Sequence, residues 1–241
     1  DQASNPDFFD AHRVFVAYCS GDSHSGTQSN ISSATWGLWF SGHANFKAII
    51  EDLRAQQGMD AATDVLLTGS SAGAIGTFTN IDPLVAQLGP SVRVKAAPMG
   101  GWYLPAEIGD LNSTKKDPHR ISFNPPSTFA SFSKGEVGGW DNATAKEDYQ
   151  FKTTVWKSIG HPACLAAHPD DPFVCDTLDT SYQFIKAPIF IVQNRFDTYQ
   201  LGSVEGFDTS KSHDTGVAAD YVRYFGRAMA VSIDTNIKEG D

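Results

Sequence analysis

The residues best suited to chemistry lie in the segment G-S-S-A-G at residues 69–73, which has the spacing G-x-S-x-G. An apolar run precedes this segment and further small residues follow it, so the spacing predicts a sharp turn from a strand into a helix. Gly69 and Gly73 are expected because a β-carbon at either position would clash in so tight a turn. Such a turn would expose Ser71 in a strained conformation, as a serine nucleophile requires. The adjacent Ser70 does not have a glycine two residues away on each side.

The start of the predicted helix would supply donors for a developing negative charge. The first N–H groups of a helix have no intrahelical acceptor, and we expect the N–H of Ala72 to stabilise the oxyanion of a tetrahedral intermediate. A second donor should come from another segment. Two alternatives remain: the small residues allow close packing of strand and helix, or they hold a phosphate. Phosphate binding is the weaker alternative because the P-loop lysine and the G-x-G-x-x-G spacing are absent.

A serine nucleophile needs an acid and a base, which follow the serine in that order in α/β hydrolases. Asp197 comes after a predicted strand, where active-site carboxylates of open α/β sheets are found. A turn or helix-capping aspartate is the alternative. His213 is the sole histidine after Asp197 and is the candidate base by chain order, although a solvent-exposed loop histidine is the more ordinary explanation. No histidine has a metal-ligand spacing, so no metal site and no cofactor are predicted.

Four β-prone runs would position these side chains. They lie at residues 14–18, 65–68, 92–96 and 189–192. Their apolarity predicts strands buried on both faces. Three helices are predicted: one through residues 46–53, one after Ser71 and one at residues 217–230. In the first, apolar residues recur at helical spacing and Gly58 follows as a stop. This alternation predicts an α/β fold of the α/β-hydrolase type, a mostly parallel sheet with helices on both faces.

The composition changes between residues 105 and 181. This stretch is rich in Pro, Ser, Lys and Asp and carries aromatic residues without a clean period. It predicts a cap-like insertion over the sheet, or an irregular excursion packed by its own aromatic residues. The length of 241 residues and a hydrophobic content of 41% favour one domain over residues 1–241 that contains this insertion.

The charge and hydropathy of the chain exclude several kinds of partner. A net charge of -10 argues against a nucleic acid or an anionic membrane, because polyanions would be repelled. No apolar run reaches the roughly 18 to 20 residues that span a bilayer. A neutral or weakly charged ester substrate is compatible with this surface.

The cysteines and glycosylation sequons indicate an extracellular protein. Cys164 and Cys175 bracket a short loop and predict a disulfide, which leaves Cys19 without an obvious partner. Sequons of the type N-x-S/T occur in polar stretches at Asn30, Asn112 and Asn142. We therefore predict a secreted glycoprotein.

Several motifs together resemble the pectin acetylesterase and Notum family of extracellular carboxylesterases, in family order over nearly all of the chain. They are N-P-D-F-F at 5–9, R-V-F-V-A-Y-C-S-G-D at 13–22, S-G at 25–26, F-S-G at 40–42, G-S-S-A-G at 69–73 and F-I-V-Q-N-R-F-D-T-Y-Q-L at 190–201. The resemblance implies an α/β-hydrolase fold with Ser71 and Asp197 as catalytic residues. It also implies acyl esters of an extracellular glycan, protein or small molecule as substrates.

The chain departs from the family pattern at three places. Family members carry a G-G-G-W-C-like stretch before the Y-C-S motif, which supplies oxyanion donors, and this sequence does not contain it. They also carry a catalytic histidine in a C-x-x-H-like segment, which this sequence does not contain either. The resemblance places that histidine beyond Asp241, so separate N- and C-terminal fragments of one precursor are expected as partners. At residues 99–102, M-G-G-W stands where the family commonly has an aspartate, a small residue, a glycine and an aromatic residue. This third departure leaves the acyl preference open.

The sequence thus predicts a serine carboxylesterase that acts on acetyl or longer acyl esters through an acyl-enzyme on Ser71. The alternative is a catalytically inactive hydrolase-like protein with a binding or scaffold role, because the base is not securely identified.

Overall fold

The computed structural model describes residues 1–104, 142–204 and 216–237. The strands are β1 (Asp64–Ser70) and β2 (Arg93–Met99). The α-helices are α1 (Gly42–Gln56), α2 (Ala72–Leu88), α3 (Asn142–Phe151), α4 (Pro162–Ala167), α5 (Leu178–Ser181) and α6 (Val217–Asn236). Short 3-10 helices cover Ser33–Thr35, Met59–Ala61, Pro172–Asp176 and Tyr182–Phe184, and π-helical turns cover Lys152–Trp156 and Gln200–Val204.

The sheet is parallel, as predicted. β1 pairs with β2 from Asp64 opposite Arg93 to Ser70 opposite Met99. Residues 189–192 extend the sheet on the other side of β2 through the parallel bridges Ala96–Ile189 and Met99–Val192. Parallel strands end at a common edge of a sheet. The residues that follow β1, β2 and residue 192 therefore meet at one edge.

The hydrophobic core lies on one face of this sheet. Val94 and Ala96 of β2 are buried, whereas Leu66 is 45% exposed and Phe190 is 73% exposed. The core also includes Phe46 and Ile50 of α1, Phe78, Ile81 and Leu84 of α2, and Tyr221, Phe225 and Met229 of α6. Alternate side chains of a strand point to opposite faces. The prediction of strands buried on both faces is therefore wrong for the described residues, although a parallel sheet flanked by helices is confirmed.

Residues 14–18 do not form a strand. They have no ladder partner among the described residues, and the side chain of Phe15 is 91% exposed. A β-prone composition is only a weak preference that depends on a neighbouring strand and on burial. The predicted strand at 14–18 is therefore wrong in this structure.

Two of the predicted helices differ only in their ends. In α1, Phe46 and Ile50 are buried and the helix ends at Gln56, just before Gly58 with a φ of 74°. A left-handed φ of this kind favours glycine and stops a helix. α6 is longer than predicted and ends at Asn236, because buried Ser232 and Asn236 continue its packed side.

Part of the predicted insertion packs against the main core. Residues 105–141 lie outside the described residues, and residues 142–181 are largely helical. The predicted disulfide between Cys164 and Cys175 is confirmed. Further along, Leu178 and Tyr182 belong to the same core as the sheet. The division into a domain and a cap remains a prediction.

A buried carboxylate organises the loop before α1. Asp22 is fully buried, and its oxygens accept hydrogen bonds from the Ser20 hydroxyl at 2.5 Å, the His24 N–H at 3.1 Å and the Gly42 N–H at 2.7 Å. The loop also contacts α2, because the Asn80 side-chain amide donates to the His24 carbonyl at 2.9 Å. Asp22 thus ties the first residue of α1 to a loop that packs on α2.

None of the helices in the described ranges combines the length and the apolarity needed to cross a bilayer.

Candidate active site

Ser71 stands at the turn between β1 and α2. Its φ is 56° and its ψ is -120°, and the residue is exposed. A positive φ is costly for a residue with a β-carbon and persists only where the surroundings hold it. Here the Ser71 N–H donates to the Met99 carbonyl at 3.0 Å, and the Ser71 carbonyl accepts from Ala74 N–H at 2.8 Å. The strained conformation expected of a nucleophile at such a turn is present.

The two glycines of the motif are not equivalent. A β-carbon on Gly69 would lie 2.3 Å from the Gly73 carbonyl oxygen, whereas one on Gly73 would meet no atom within 4 Å. The expectation of a clash is therefore right for Gly69 and wrong for Gly73. A third glycine matters instead, because a β-carbon on Gly101 would lie 2.5 Å from that of Ala74. Glycine at 101 lets the chain after β2 pass close to the first turn of α2.

Ala72 is the first residue of α2. Its N–H points out of the helix N-terminus without an intrahelical acceptor. This arrangement supports the predicted oxyanion role of Ala72, which remains a prediction.

Asp197 is half-buried and is surrounded by N–H donors. Its Oδ1 accepts from the backbone N–H of Tyr199 at 3.0 Å and of Gln200 at 3.1 Å. Its Oδ2 accepts from the side-chain amides of Gln193 at 3.1 Å and Gln200 at 3.2 Å. The backbone contacts are those of a capping aspartate, so Oδ1 fixes the turn that follows. The side-chain amides in turn hold Oδ2 in one orientation.

Sequence analysis missed the two glutamines that hold this carboxylate. The Gln193 side-chain oxygen accepts from Trp102 N–H at 3.0 Å. The Gln200 amide donates to the Trp102 carbonyl at 3.0 Å, and its oxygen accepts from Leu104 N–H at 3.0 Å. Together they join the Asp197 loop to the chain after β2. The available signal was an amide side chain directly after the predicted strand at 189–192.

Tyr103, also missed, interacts electrostatically with the predicted nucleophile and the predicted acid. Ser71 lowers the pKa of its hydroxyl, and the charge of Asp197 raises it. Its ring meets that of Tyr199 edge-on, with centroids 6.4 Å apart. Burial raises the pKa of Tyr103 above its ordinary value, and the contact with Ser71 opposes this only in part. Tyr103 is therefore a neutral hydrogen-bonding group at physiological pH.

Two histidines in the described ranges serve other contacts. His43 Nδ1 lies 2.6 Å from the Asn80 side-chain oxygen, and His161 Nε2 lies 3.4 Å from Asp82. His213 lies outside the described residues, so its assignment as base remains a prediction. Within those residues, no group of three His, Cys, Asp or Glu side chains could hold a metal ion.

The remaining predicted sites are only partly covered. Asn30 is exposed, as an acceptor for a glycan must be. Asn112 and the side chain of Asn142 lie outside the described part of the chain. Cys19 is exposed and has no disulfide partner among the described residues.

Comparisons with known proteins identify the family of this chain. The sequence model of the family Pectinacetylesterase matches residues 1–220. Pectin acetylesterase 11 of Arabidopsis thaliana is 34% identical over 221 residues, which cover 89% of this chain and 47% of the relative. Palmitoleoyl-protein carboxylesterase notum2 of Xenopus laevis is 28% identical over 237 residues, which cover 96% of this chain and 43% of the relative.

A solved structure shows the same fold. The Wnt deacylase Notum from Drosophila superposes with a TM-score of 0.73 at 23% identity, covering 99% of this chain and 60% of that chain. The chain spans less than half the length of the two curated relatives named above. The family match, the relatives and the shared α/β-hydrolase fold confirm the resemblance drawn from the motifs. The chain belongs to the pectinacetylesterase family.

Proposed function

We propose that this chain carries the nucleophile and the acid of a carboxylesterase, with Ser71 and Asp197 in those roles. One observation carries the proposal: Ser71 is exposed at a strained strand-to-helix turn, at the same edge of the sheet as the segment after residue 192 that contains Asp197. The named relatives are carboxylesterases and acetylesterases. Ester hydrolysis is therefore the reaction that both the site and the family favour.

In the proposed reaction the Ser71 hydroxyl oxygen attacks the ester carbonyl carbon. A histidine, for which His213 is the candidate within this chain, takes the hydroxyl proton and is oriented by Asp197. The carbonyl oxygen becomes an oxyanion, which accepts a hydrogen bond from the Ala72 N–H. The alcohol then leaves with the proton from the histidine. Water attacks the acyl-enzyme in the same manner and releases the carboxylic acid.

The proposed substrates are acyl esters of an extracellular glycan, protein or small molecule. A secreted location is supported by the Cys164–Cys175 disulfide, because disulfides persist in oxidising compartments, and by the exposed sequon at Asn30. Separate N- and C-terminal fragments of one precursor remain proposed partners.

The test compares two adjacent serines in the longest natural polypeptide that contains this sequence. Ser71→Ala should lower the rate of p-nitrophenyl acetate hydrolysis by about 10⁴-fold or more, because the nucleophile is lost. Ser70→Ala is the matched control, since Ser70 is equally small and exposed at the end of β1. A fluorophosphonate probe should label the control at Ser71.

Two outcomes would contradict the proposal. Hydrolysis retained by Ser71→Ala would remove Ser71 from the mechanism. A folded protein that neither hydrolyses the ester nor reacts with the probe would indicate the inactive binding or scaffold protein instead.

A further inference from the structure

The side-chain amide of Gln193 is held in one orientation. Gln193 directly follows residues 189–192 of the sheet, and its side-chain oxygen accepts from the Trp102 N–H at 3.0 Å. A backbone N–H can only donate, so the amide oxygen must face Trp102 and the NH₂ group must face the other way. That NH₂ group donates to Oδ2 of Asp197 at 3.1 Å. Gln193 therefore presents a donor to this carboxylate.

The main chain that orients Gln193 is itself anchored. Trp102 is 1% exposed, and its indole N–H donates to the Ser232 hydroxyl of α6 at 3.0 Å. The Trp102 carbonyl accepts from the side-chain amide of Gln200 at 3.0 Å. Turning the Gln193 amide over would set two donors against each other and leave the Trp102 N–H unpaired, which is costly in a buried setting. The NH₂ group of Gln193 therefore stays directed at Asp197.

We propose that Gln193 is a positioning residue: its fixed amide holds Oδ2 of Asp197 in the orientation in which the carboxylate steers the catalytic histidine. This inference rests on the proposed function of Asp197. The other oxygen, Oδ1, accepts from the backbone N–H groups of Tyr199 at 3.0 Å and Gln200 at 3.1 Å. With both oxygens held, the carboxylate does not rotate, and a histidine that donates to it is oriented before the ester arrives.

Gln193→Glu tests this role because it changes only the atom that faces Asp197. The glutamate keeps an oxygen for the Trp102 N–H, whereas the NH₂ group is replaced by an oxygen that accepts when ionised and donates when protonated. Two carboxylates this close cannot both stay ionised, so the pair takes up one shared proton as the pH falls. The experiment measures kcat/KM for p-nitrophenyl acetate between about pH 8 and about pH 5.5, in the longest natural polypeptide containing this sequence.

The ratio of variant to wild-type kcat/KM should be low at the alkaline end and rise roughly tenfold towards the acidic end, where the added carboxyl donates as the amide does. A negative charge that merely lay near the histidine would act in the opposite direction. It would keep the histidine protonated to higher pH, and the ratio would fall as the pH falls.

Gln183→Glu is the matched control. The Gln183 amide donates to the main-chain and side-chain oxygens of Asn236 at 2.9 Å each. Neither contact involves the candidate active site, so the ratio for this variant should stay constant across the pH range.

The contrary outcomes separate this role from the proposed function. If the ratio for Gln193→Glu stays constant or falls with pH, while the wild-type protein hydrolyses the ester and the fluorophosphonate probe labels Ser71, the positioning role is overturned and the proposed function stands. If the wild-type protein neither hydrolyses the ester nor is labelled, the proposed function fails and this role fails with it.

Gln193→Met replaces the glutamate variant if that variant does not fold. Methionine is uncharged and of similar length but donates no hydrogen bond, so kcat should fall about tenfold with KM unchanged. An unchanged kcat, or a rise in KM alone, would overturn the inference.

Discussion

Two aspartates that look alike in the sequence have opposite surroundings in the fold. Asp197 has four N–H donors around its carboxylate. Asp179 of α5 is buried, and its Oδ1 has no hydrogen-bond partner among the described residues. Burial raises the pKa of Asp179 from 3.8 to about 6, although hydrogen bonds from Thr177 and Thr180 oppose this rise. A surrounded carboxylate suits an orienting role, whereas a buried and under-paired one destabilises the fold when it ionises.

Asp179→Asn should stabilise the protein at neutral pH. The folded state keeps a proton on Asp179 that the unfolded chain releases near pH 3.8, so the wild-type protein loses stability as pH rises from about 3.8 to about 6. Asparagine does not ionise and avoids this loss. The gain in the free energy of unfolding should be on the order of 2 kcal/mol at pH 7.5 and close to zero at pH 3.5.

Urea unfolding at the two pH values measures this difference. Asp170→Asn, the same substitution at an exposed aspartate, is the control. An equal effect of Asp179→Asn at both pH values would show that Asp179 does not titrate between the folded and unfolded states.

At the level of elements, the connection between β1 and α2 depends on one close backbone approach. The first turn of α2 passes Gly69 so closely that a β-carbon there would lie 2.3 Å from the Gly73 carbonyl oxygen. That contact is with backbone, which cannot rotate away as a flexible side chain can. The angle between strand and helix, and with it the conformation of Ser71, is set at Gly69.

Gly69→Ala and Gly73→Ala should therefore have different effects although the motif treats the two glycines alike. Gly69→Ala should lower the free energy of unfolding by roughly 2 kcal/mol or more, because the turn must open to admit a methyl group. Gly73→Ala adds a methyl group in open space and should be neutral or stabilising by up to about 1 kcal/mol, since alanine is the better helix former.

Chemical denaturation compares the two variants, and fluorophosphonate labelling of Ser71 reports the turn itself. Labelling should be reduced in Gly69→Ala. Equal stability of the two variants would mean that the backbone relaxes around residue 69 and that the close approach does not constrain the turn.

At the scale of the whole molecule, the part of the chain between β2 and residue 189 helps to fix the edge of the sheet at which the candidate active site lies. The carboxylate of Asp82 on α2 accepts from the N–H groups of Lys186 at 3.1 Å and Ala187 at 3.0 Å, directly before residues 189–192. Leu178 and Ile185 join the main core. The Cys164–Cys175 disulfide crosslinks the chain shortly before these residues.

Replacing both disulfide cysteines by alanine should destabilise the fold. Without the crosslink the unfolded chain gains conformational freedom, and for a loop of this size the loss should be roughly 2 to 3 kcal/mol. Cys19→Ala is the matched control, because Cys19 is exposed and unbridged within the described residues, and it should change stability by less than about 0.5 kcal/mol. Denaturation under non-reducing conditions checks both; if the double variant matched Cys19→Ala, the disulfide would have no stabilising role.

Local features were predictable from the sequence because neighbouring residues decide them. The turn at Ser71 follows from glycine spacing between an apolar run and small residues. The buried side of α1 follows from Phe46 and Ile50 at helical spacing. The disulfide follows from two cysteines close along the chain. The order of the motifs along the chain was also sufficient to identify the family.

Features that join distant parts of the chain were decided only by tertiary structure. Gln193 and Gln200 reach Trp102 across sequence separations that no local pattern encodes. The same reason explains the error at residues 14–18. A strand exists only where a neighbour accepts its hydrogen bonds, and a side chain is buried only where another element covers it, so composition alone determines neither.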